Sequence, residues 1–372
     1  MAFVLHPARE TVMPYTQGLK GHASGHEKAT RDEVVRRLAQ LKGCASSDEM
    51  PQAEWPGPVY LVPSDTLVGI ARAEALGVRA CANLFGGVVP HAFMATKAIT
   101  HPLVGPDAAA PAHWSVDFPT RVARAVLPGF SVFSREDARQ AAQSLWRLGS
   151  LRVKKVCETG GRGQTVVTEA GGLEESLAQL SDAALQREGL VLEHNLTKVE
   201  TLSVGQVLVA GIVASYFGVQ RLTPSNRGEM VYGGSDLTVV RGGFDMLHTV
   251  APNARVRTAV QQALVYDSAA KACFPGFFAS RINYDIAQGL NAAGDWCSGV
   301  LEQSWRVGGA TGAEIAALEV LKSFPGRSAV HARCFEIFGP CAPPPAGAIV
   351  YFQGTDSHAG PLTKYTVVST MT

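Results

Sequence analysis

The stretch GVLEQSWRVGGATG, Gly299 to Gly312, constrains this chain more than any other part of it. Glu302, Ser304 and Arg306 fall at alternate positions of a predicted strand, and alternate strand residues share a face. A carboxylate, a hydroxyl and a guanidinium side by side are poor core material. They suit a hard metal ion and the phosphates that such an ion carries. Just upstream, FFASRINYDI puts Asn283 and Asp285 on one face of a second predicted strand. Paired as a hairpin, the two strands bring several oxygen ligands to one point.

The rest of the chain has to be a large and electrically neutral scaffold for that hairpin. Its 372 residues leave room for two or three domains, and 46% hydrophobic residues supply ample core. With 33 basic against 32 acidic residues and a net charge of +1, no global field favours nucleic acid or an anionic membrane. Any phosphate site must therefore be local. Seven cysteines without a CxxC pair point to a reduced, cytosolic protein. The apolar run in MAFVLHPARE is too short for a signal peptide. Thr201 to Gln220 carries no charge, but Gly205, Gln206, Gly211 and two serines interrupt it. Val207 and Val209, then Val213 and Ser215, predict two strands turning near Gly211 rather than a membrane span.

Pattern and punctuation predict four segments. Residues 1–55 form an N-terminal segment and linker, with a helix over Arg31 to Leu41 and a proline-bearing stretch from Cys44 to Pro58. Residues 56–127 form a small α/β domain with connecting loops: a buried strand VYLVPS, a helix from Thr66 to Ala75, and a return at Leu76 to Val78. Residues 128–342 form the main domain, in subdomains of about 128–190 and 191–342, and residues 343–372 a C-terminal tail adding one or two edge strands. Ser134 with an acid three residues on resembles a capping box, and it opens a helix that Gly149 ends. A helix over Leu173 to Leu185 and another over Ala254 to Lys271 are also expected. YFQG, Tyr351 to Gly354, resembles a protease-tag scar, but the chain runs on for eighteen residues, so it reads as native.

The strand LRVKKV is followed at once by GGRGQ, Gly160, Gly161, Arg162, Gly163 and Gln164. Glycines let backbone amides approach an anion, and a lysine on the preceding strand adds a point charge for phosphate; a plain glycine hairpin has the same appearance. Adjacent strand residues face opposite ways, so only one of Lys154 and Lys155 can aim at phosphates. Lys154 is the expected one. Glu193 ends one strand and Glu200 begins the next, which as surface carboxylates needs no further explanation. Asp236 and Arg241 allow a salt bridge or a second phosphate contact. Thr311 and Glu314 have capping-box spacing at a helix start, where free amides also attract anions. No GxxxxGKS or GxxxxGKT is present, no GxGxxG follows a strand, and there is no GxSxG elbow. His22, His26 and Glu27 lack the second histidine of HExxH and read as a solvated polar segment.

The order of these motifs resembles the ATP-grasp superfamily. PGFSVFSREDARQAAQSLWRLGSLRVKKVCETGGRGQTVV, VLEHNLTKVETLSVGQV, FFASRINYDIAQG and GVLEQSWRVGG follow one another as that superfamily's motifs do, over about Pro128 to Leu321. Val59 to Val78 looks like the small Rossmann-like domain that precedes them. The whole chain resembles an uncharacterised bacterial family related to these enzymes, sometimes labelled biotin carboxylase by similarity. The resemblance implies an α+β fold of two subdomains with antiparallel sheets, ATP held between them, and Mg2+. Lys154 would then meet the phosphates, with the Gly160 to Gln164 loop closing over them. Glu193 and its neighbours, Leu196 among them, would sit at the adenine, Glu200 at the ribose, and Lys97 would match an earlier phosphate-contacting lysine. Asp285 and Glu302 are the expected magnesium ligands, with Asn283 and Ser304 beside them. Ser304 stands where the superfamily has Asn, and alignment on Arg281 would favour Asn283 over Asp285.

The expected reaction is ATP-dependent ligation. A carboxylate is activated as an acyl phosphate for attack by an amine or other nucleophile, with Arg306 holding the carboxylate and Lys154 the leaving phosphates. The alternatives are a phosphotransferase or biotin-carboxylase-like enzyme, and a nucleotide-binding module that does not turn ATP over. The chain lacks the Met-Lys pair of a biotin carrier domain. Expected partners are a small carboxylic acid and an acceptor, without nucleic acid or membrane; the superfamily implies a homodimer. Leu84 to Val104, with His91, Lys97 and His101, is a candidate substrate wall.

Overall fold

A computed structural model of the chain describes residues 10–16, 25–49, 57–158, 163–340 and 343–369. The N-terminal unit is a parallel sheet in the order Ala45–Ser46, Thr11–Tyr15, Val59–Pro63. Helix Gly25–Lys42 makes the crossover and buries Val34, Val35, Leu38, Ala39 and Leu41, the three-and-four spacing of one helix face. The expected boundary at residue 56 is thereby corrected. Thr11–Tyr15 lies at the centre of this sheet, so the first residues belong with the small α/β unit. Pro14 argues against a central strand in sequence. It is tolerated because the two-residue strand beside it pairs only with Thr11 and Val12, leaving no neighbour on that side to miss its N–H.

The helix expected from Thr66 is also corrected. Leu67–Val68 is a short strand parallel to Gly87–Val89, and the helix spans only Ile70–Ala75. Gly69, at φ 95°, makes the break, a backbone conformation that costs glycine little.

The small sheet of the main domain is antiparallel, in the order Gly129–Val132, Leu190–His194, Leu151–Lys155, Gln164–Val167. Its outer face packs Leu151, Val153, Leu190 and Leu192 against helix Arg135–Leu145 and its neighbours. Ser134 caps that helix by accepting from the Asp137 amide. One predicted helix over Leu173 to Leu185 is two, Ala170–Ala178 and Asp182–Glu188, because Ser181 caps the second by accepting from the Ala184 amide.

The large sheet has eight antiparallel strands. They run in the order Trp296–Ser304, Arg281–Leu290, Thr197–Val209, Ile212–Pro224, Met230–Arg241, Ala329–Phe338, Gly360–Ser369, Ile349–Asp356. The uncharged Thr201 to Gln220 stretch is a hairpin turning at Ala210 and Gly211, both at positive φ. Among the described residues no helix is long and apolar enough to cross a membrane. Alternation splits the sheet between two cores: Phe217 packs in the cluster that holds helix Ala254–Cys273, while Tyr216 packs with helix Thr311–Ser323. The expected tail is integral to this sheet, since Gly360–Ser369 pairs along most of Ala329–Phe338. Two α+β subdomains with antiparallel sheets thus follow a small parallel unit, as the resemblance implies.

Candidate active site

The predicted hairpin forms. Asn283 registers with Ser304 and Asp285 with Glu302, whereas Ile286 registers with Val300. The extra residue, Leu301, is a bulge, and it resets which residues of the two strands oppose each other. It puts the two carboxylates face to face. The strand ends at Ser304, so Arg306 lies just beyond it rather than on it. Glu302, Ser304 and Arg306 nevertheless line one cavity of about 220 Å³, with Lys97, Glu158 and Asp65 on its other walls.

Charge in this cavity is only partly balanced. Lys97 Nζ lies 3.1 Å from Glu302 and donates to the Glu158 carbonyl at 2.5 Å. Asp285 has no such cation. Its Oδ1 accepts from Ser203 Oγ (3.3 Å), Gln220 Nε2 (2.7 Å) and Asn283 Nδ2 (2.8 Å), and no described donor reaches Oδ2. Burial and the charge of Glu302 lift the Asp285 carboxyl to about 6, against those hydrogen bonds. Two opposed carboxylates, one of them short of positive charge, fit an oxygen-preferring divalent cation; Asn283 turns its Nδ2 to Asp285, while its Oδ1 accepts from the Tyr216 hydroxyl at 3.0 Å. Magnesium is commonly held by one or two carboxylates plus the phosphates of its substrate. Among the described residues no group of three or more His, Cys, Asp or Glu gathers to form an all-protein metal cage.

Arg281 fixes the strand end from behind. Its guanidinium is 1% exposed and makes a two-point pair with Glu314, Nη2 to Oε1 at 2.7 Å and Nε to Oε2 at 3.0 Å. Nη1 donates to the carbonyls of Ser304 (3.0 Å) and Arg306 (2.6 Å) and to Ser304 Oγ (3.1 Å). The capping-box expectation for Thr311 and Glu314 is corrected. Glu314 is drawn inward by Arg281 and Tyr216, and Thr311 Oγ1 instead accepts from the Gly308 amide. From the N-terminal unit, the Gly87 amide donates to Trp305 O at 2.7 Å. A Cβ at Gly87 would stand 2.9 Å from the Trp305 Cβ, so glycine is needed for this approach.

The other predicted residues lie on the inner face of the small sheet. Lys154 Nζ pairs with Glu193 Oε1 at 2.7 Å, and His101 Nε2 meets Glu193 Oε2 at 3.0 Å, with all three side chains at most 2% exposed. Burial pushes the Glu193 carboxyl up, but Lys154 and His101 outweigh it and hold it at about 2. Lys155 faces the opposite way, bonding Gln179. Gln164 opposes Lys154 in register and accepts from Arg152 at 3.4 Å. Gly163 sits at φ 65°; Gly160, Gly161 and Arg162 lie outside the described residues, as does His22. Leu196 packs with Leu127 and Ala287, and Glu200 is exposed on the Thr197–Val209 strand. Asp236 and Arg241 do not pair with each other: Asp236 meets His331, and Arg241 donates to Leu321 O. Residues five apart on a strand face opposite ways. His26 donates its amide to Asp356.

Residues 94–101 run between these two groups. Gln303 Nε2 donates to Met94 O (2.6 Å) and Thr96 O (2.9 Å), and Thr100 meets Tyr266. On the other side Ala98 O accepts from Ser131 Oγ at 2.5 Å. Sequence reasoning named Lys97 and His101 here and missed Gln303. It also missed Gln220, Tyr216 and Asp65. Only Asp65 had a sequence signal, its place just past a buried parallel strand, where α/β folds bind ligands.

The chain is similar in fold to N5-carboxyaminoimidazole synthetase from Staphylococcus aureus, at TM-score 0.56 and 11% identity over 98% of this chain and 94% of that one. The same enzyme complexed with ADP gives TM-score 0.55 at 11% identity, over 98% and 94%. Biotin carboxylase from Campylobacter jejuni follows at TM-score 0.49 and 12% identity, covering 97% of this chain and 87% of that one. The likeness to the Staphylococcus aureus synthetase shows the ATP-grasp fold. No curated protein matches the chain in sequence. Residues 15–366 match the family described as protein of unknown function, DUF3182, and the chain therefore belongs to that family.

Proposed function

We propose that the protein is an ATP-dependent ligase that activates a small carboxylic acid. One observation carries this: Asp285 and Glu302 oppose each other in register, and Glu302 lines, with Ser304, Arg306 and Lys97, a cavity between the N-terminal unit and the main domain. The similar synthetase crystallised with ADP supports a nucleotide in this fold. Asp285 and Glu302, with Ser304, would hold magnesium, which when bound neutralises phosphate charge. Lys97 would turn from Glu302 toward phosphate oxygens, and Arg306 would hold the substrate carboxylate through two parallel N–H donors.

ATP is the phosphoryl-donor substrate in this reading. A carboxylate oxygen attacks the γ-phosphorus, the bond from that phosphorus to the bridging oxygen breaks, and ADP leaves with the electron pair. An amine or other nucleophile then attacks the acyl carbon, expelling phosphate and losing its proton to solvent. The chain supplies no nucleophile in this scheme; its side chains position groups and balance charge. Lys154 would reach the phosphates only by leaving Glu193. Ser304 in place of Asn, together with that buried pair, favours a second reading, a nucleotide-binding module without turnover.

Calorimetric titration of ATP with and without Mg2+ tests both. Micromolar binding that magnesium strengthens only while Glu302 is intact supports the site, and ADP release with trapping of an acyl phosphate by hydroxylamine separates ligase from module. Absence of ATP binding in every condition sinks both readings.

A further inference from the structure

Asp285 is held by one of its two oxygens. Oδ1 accepts from Gln220 Nε2 at 2.7 Å, Asn283 Nδ2 at 2.8 Å and Ser203 Oγ at 3.3 Å, while no described donor reaches Oδ2. The three donors come from three strands of the large sheet. Ser203 registers with Asp285 on one side and with Gly218 on the other, and Gln220 stands two residues on from Gly218, so its side chain shares their face. The second hydrogen of the Gln220 amide reaches Ser203 Oγ at 2.9 Å, which ties the two donors to each other as well as to the carboxylate. Asn283 is fixed in turn by the Tyr216 hydroxyl, which donates to its Oδ1 at 3.0 Å and leaves Nδ2 turned to Asp285.

With three donors on it, Oδ1 has no lone pair left for a cation, and Asp285 offers a cation Oδ2 alone. Glu302 is held differently. Its partner is the ammonium of Lys97, 3.1 Å from Oε2, which the ligase reading releases to the phosphates. The neutral donors on Asp285 have no such second task and stay with the sheet. One-oxygen ligation discriminates between ions. Ca2+ gathers roughly six to eight oxygens and readily takes both oxygens of one carboxylate, whereas Mg2+ keeps several waters in a near-octahedral shell and needs only one or two carboxylates beside the phosphates. We propose that Gln220 is a positioning residue for the cation site: with Ser203 and Asn283 it confines Asp285 to one-oxygen ligation, and the site thereby favours Mg2+ and Mn2+ over Ca2+. This rests on the ligase reading for the presence of a cation and adds to it how the site selects the ion.

The test is calorimetric titration of a non-hydrolysable ATP analogue into the full chain, with Mg2+, Mn2+ or Ca2+ saturating the analogue. The parent is compared with Gln220→Leu, which fills similar space and removes the donor. The parent is expected to bind the Mg2+ and Mn2+ complexes about tenfold more tightly than the Ca2+ complex, the size of one hydrogen bond to a charged group. Gln220→Leu is expected to bring that ratio within about twofold, because Oδ1 is then open to Ca2+. Ser203→Ala, which removes the longest of the three contacts, should narrow the ratio less. If Gln220→Leu does not fold, Gln220→Asn, whose shorter amide falls short of Oδ1, takes its place with the same expectation. A variant that merely disturbs the sheet weakens binding with all three ions alike and leaves the ratio unchanged. That result, or a parent that does not distinguish the ions, overturns the inference. Titration of the analogue without any divalent ion separates this from the ligase reading. Binding that the ions strengthen, at a ratio Gln220→Leu does not move, keeps the ligase reading and removes the role of Gln220; binding indifferent to every ion, or no binding, removes both.

Discussion

The two ends of the proposed nucleotide site handle charge in opposite ways. At the outer end Asp285 and Glu302 face each other, with one lysine between the two of them, and the Asp285 carboxyl is lifted to about 6. At the inner end Glu193 has both Lys154 and His101, and its carboxyl is held at about 2. The outer end carries repulsion that Lys97 and hydrogen bonds only partly relieve, beside a cavity that Glu302 lines; the inner end is compensated by both cations and covered by residues 94–101. Carboxylates tell little by their number. Their partners decide whether they await a cation or serve as structure.

The comparison is broken most directly by removing one charge from each end. Lys154→Ala leaves Glu193 buried with only His101, and the expected loss is about 3–5 kcal/mol of stability, read from the denaturant midpoint. Lys154→Met combined with Glu193→Leu should recover most of it, because a buried ion pair replaced by apolar groups is often neutral. If that stable double variant also fails to bind ATP, Lys154 is needed for the nucleotide and not only for the fold. A Lys154→Ala protein as stable as the parent would show that the inner pair does not form in solution. At the outer end Glu302→Ala should change stability by only about 1 kcal/mol or less, since Asp285 is relieved as Lys97 loses a partner. It should abolish the strengthening of ATP binding by Mg2+, and ADP release, if any acid supports it, should fall by about 10²–10³.

The two carboxyls also differ in the sign of their pH dependence. Asp285 titrates higher in the folded chain than its ordinary value of 3.8, so between roughly pH 4 and 6 the folded state binds the extra proton and its contribution to stability declines as pH rises. Magnesium needs the deprotonated form, so Mg2+ affinity should fall about tenfold per pH unit below about 6, and Asp285→Asn should flatten that dependence while weakening binding overall. Glu193 does the reverse. Its contribution is present above its ordinary value of 4.5 and is lost as pH falls toward about 2. An Mg2+ affinity that is level from pH 5 to 8 would place the metal elsewhere.

Sequence made the outer end legible because alternation along a strand is a local property. Asn283, Asp285, Glu302 and Ser304 could be placed on facing strands from spacing alone, although the bulge at Leu301, which decides their register, left no signal. The inner end depends on His101 meeting Glu193 across 92 residues, and no period connects them. Glu314 shows the same limit: its spacing from Thr311 describes a cap, while a buried arginine on another strand determines what it does. In the N-terminal unit Pro14 hid a central strand, because its acceptability depends on how short the neighbouring strand is.

The smallest expected effect concerns residues 94–101, which separate the two ends. Gln303 holds the carbonyls of Met94 and Thr96 with one amide group, and Thr100 and Ala98 anchor the segment to Tyr266 and Ser131. Gln303→Ala removes two of these bonds and leaves the carbonyls to water, at a cost of about 1 kcal/mol each. Backbone hydrogen exchange over 94–101 should then rise severalfold while the strand Leu190–His194, paired on both sides, keeps its protection. Adding MgATP to the parent chain sharpens the comparison further. If the nucleotide reaches Lys154, the segment covering it has to move, and exchange at 94–101 will change with saturation. If exchange there is indifferent to MgATP while ATP still binds, the nucleotide is held by the outer end alone, and Lys154 and Glu193 are a structural pair.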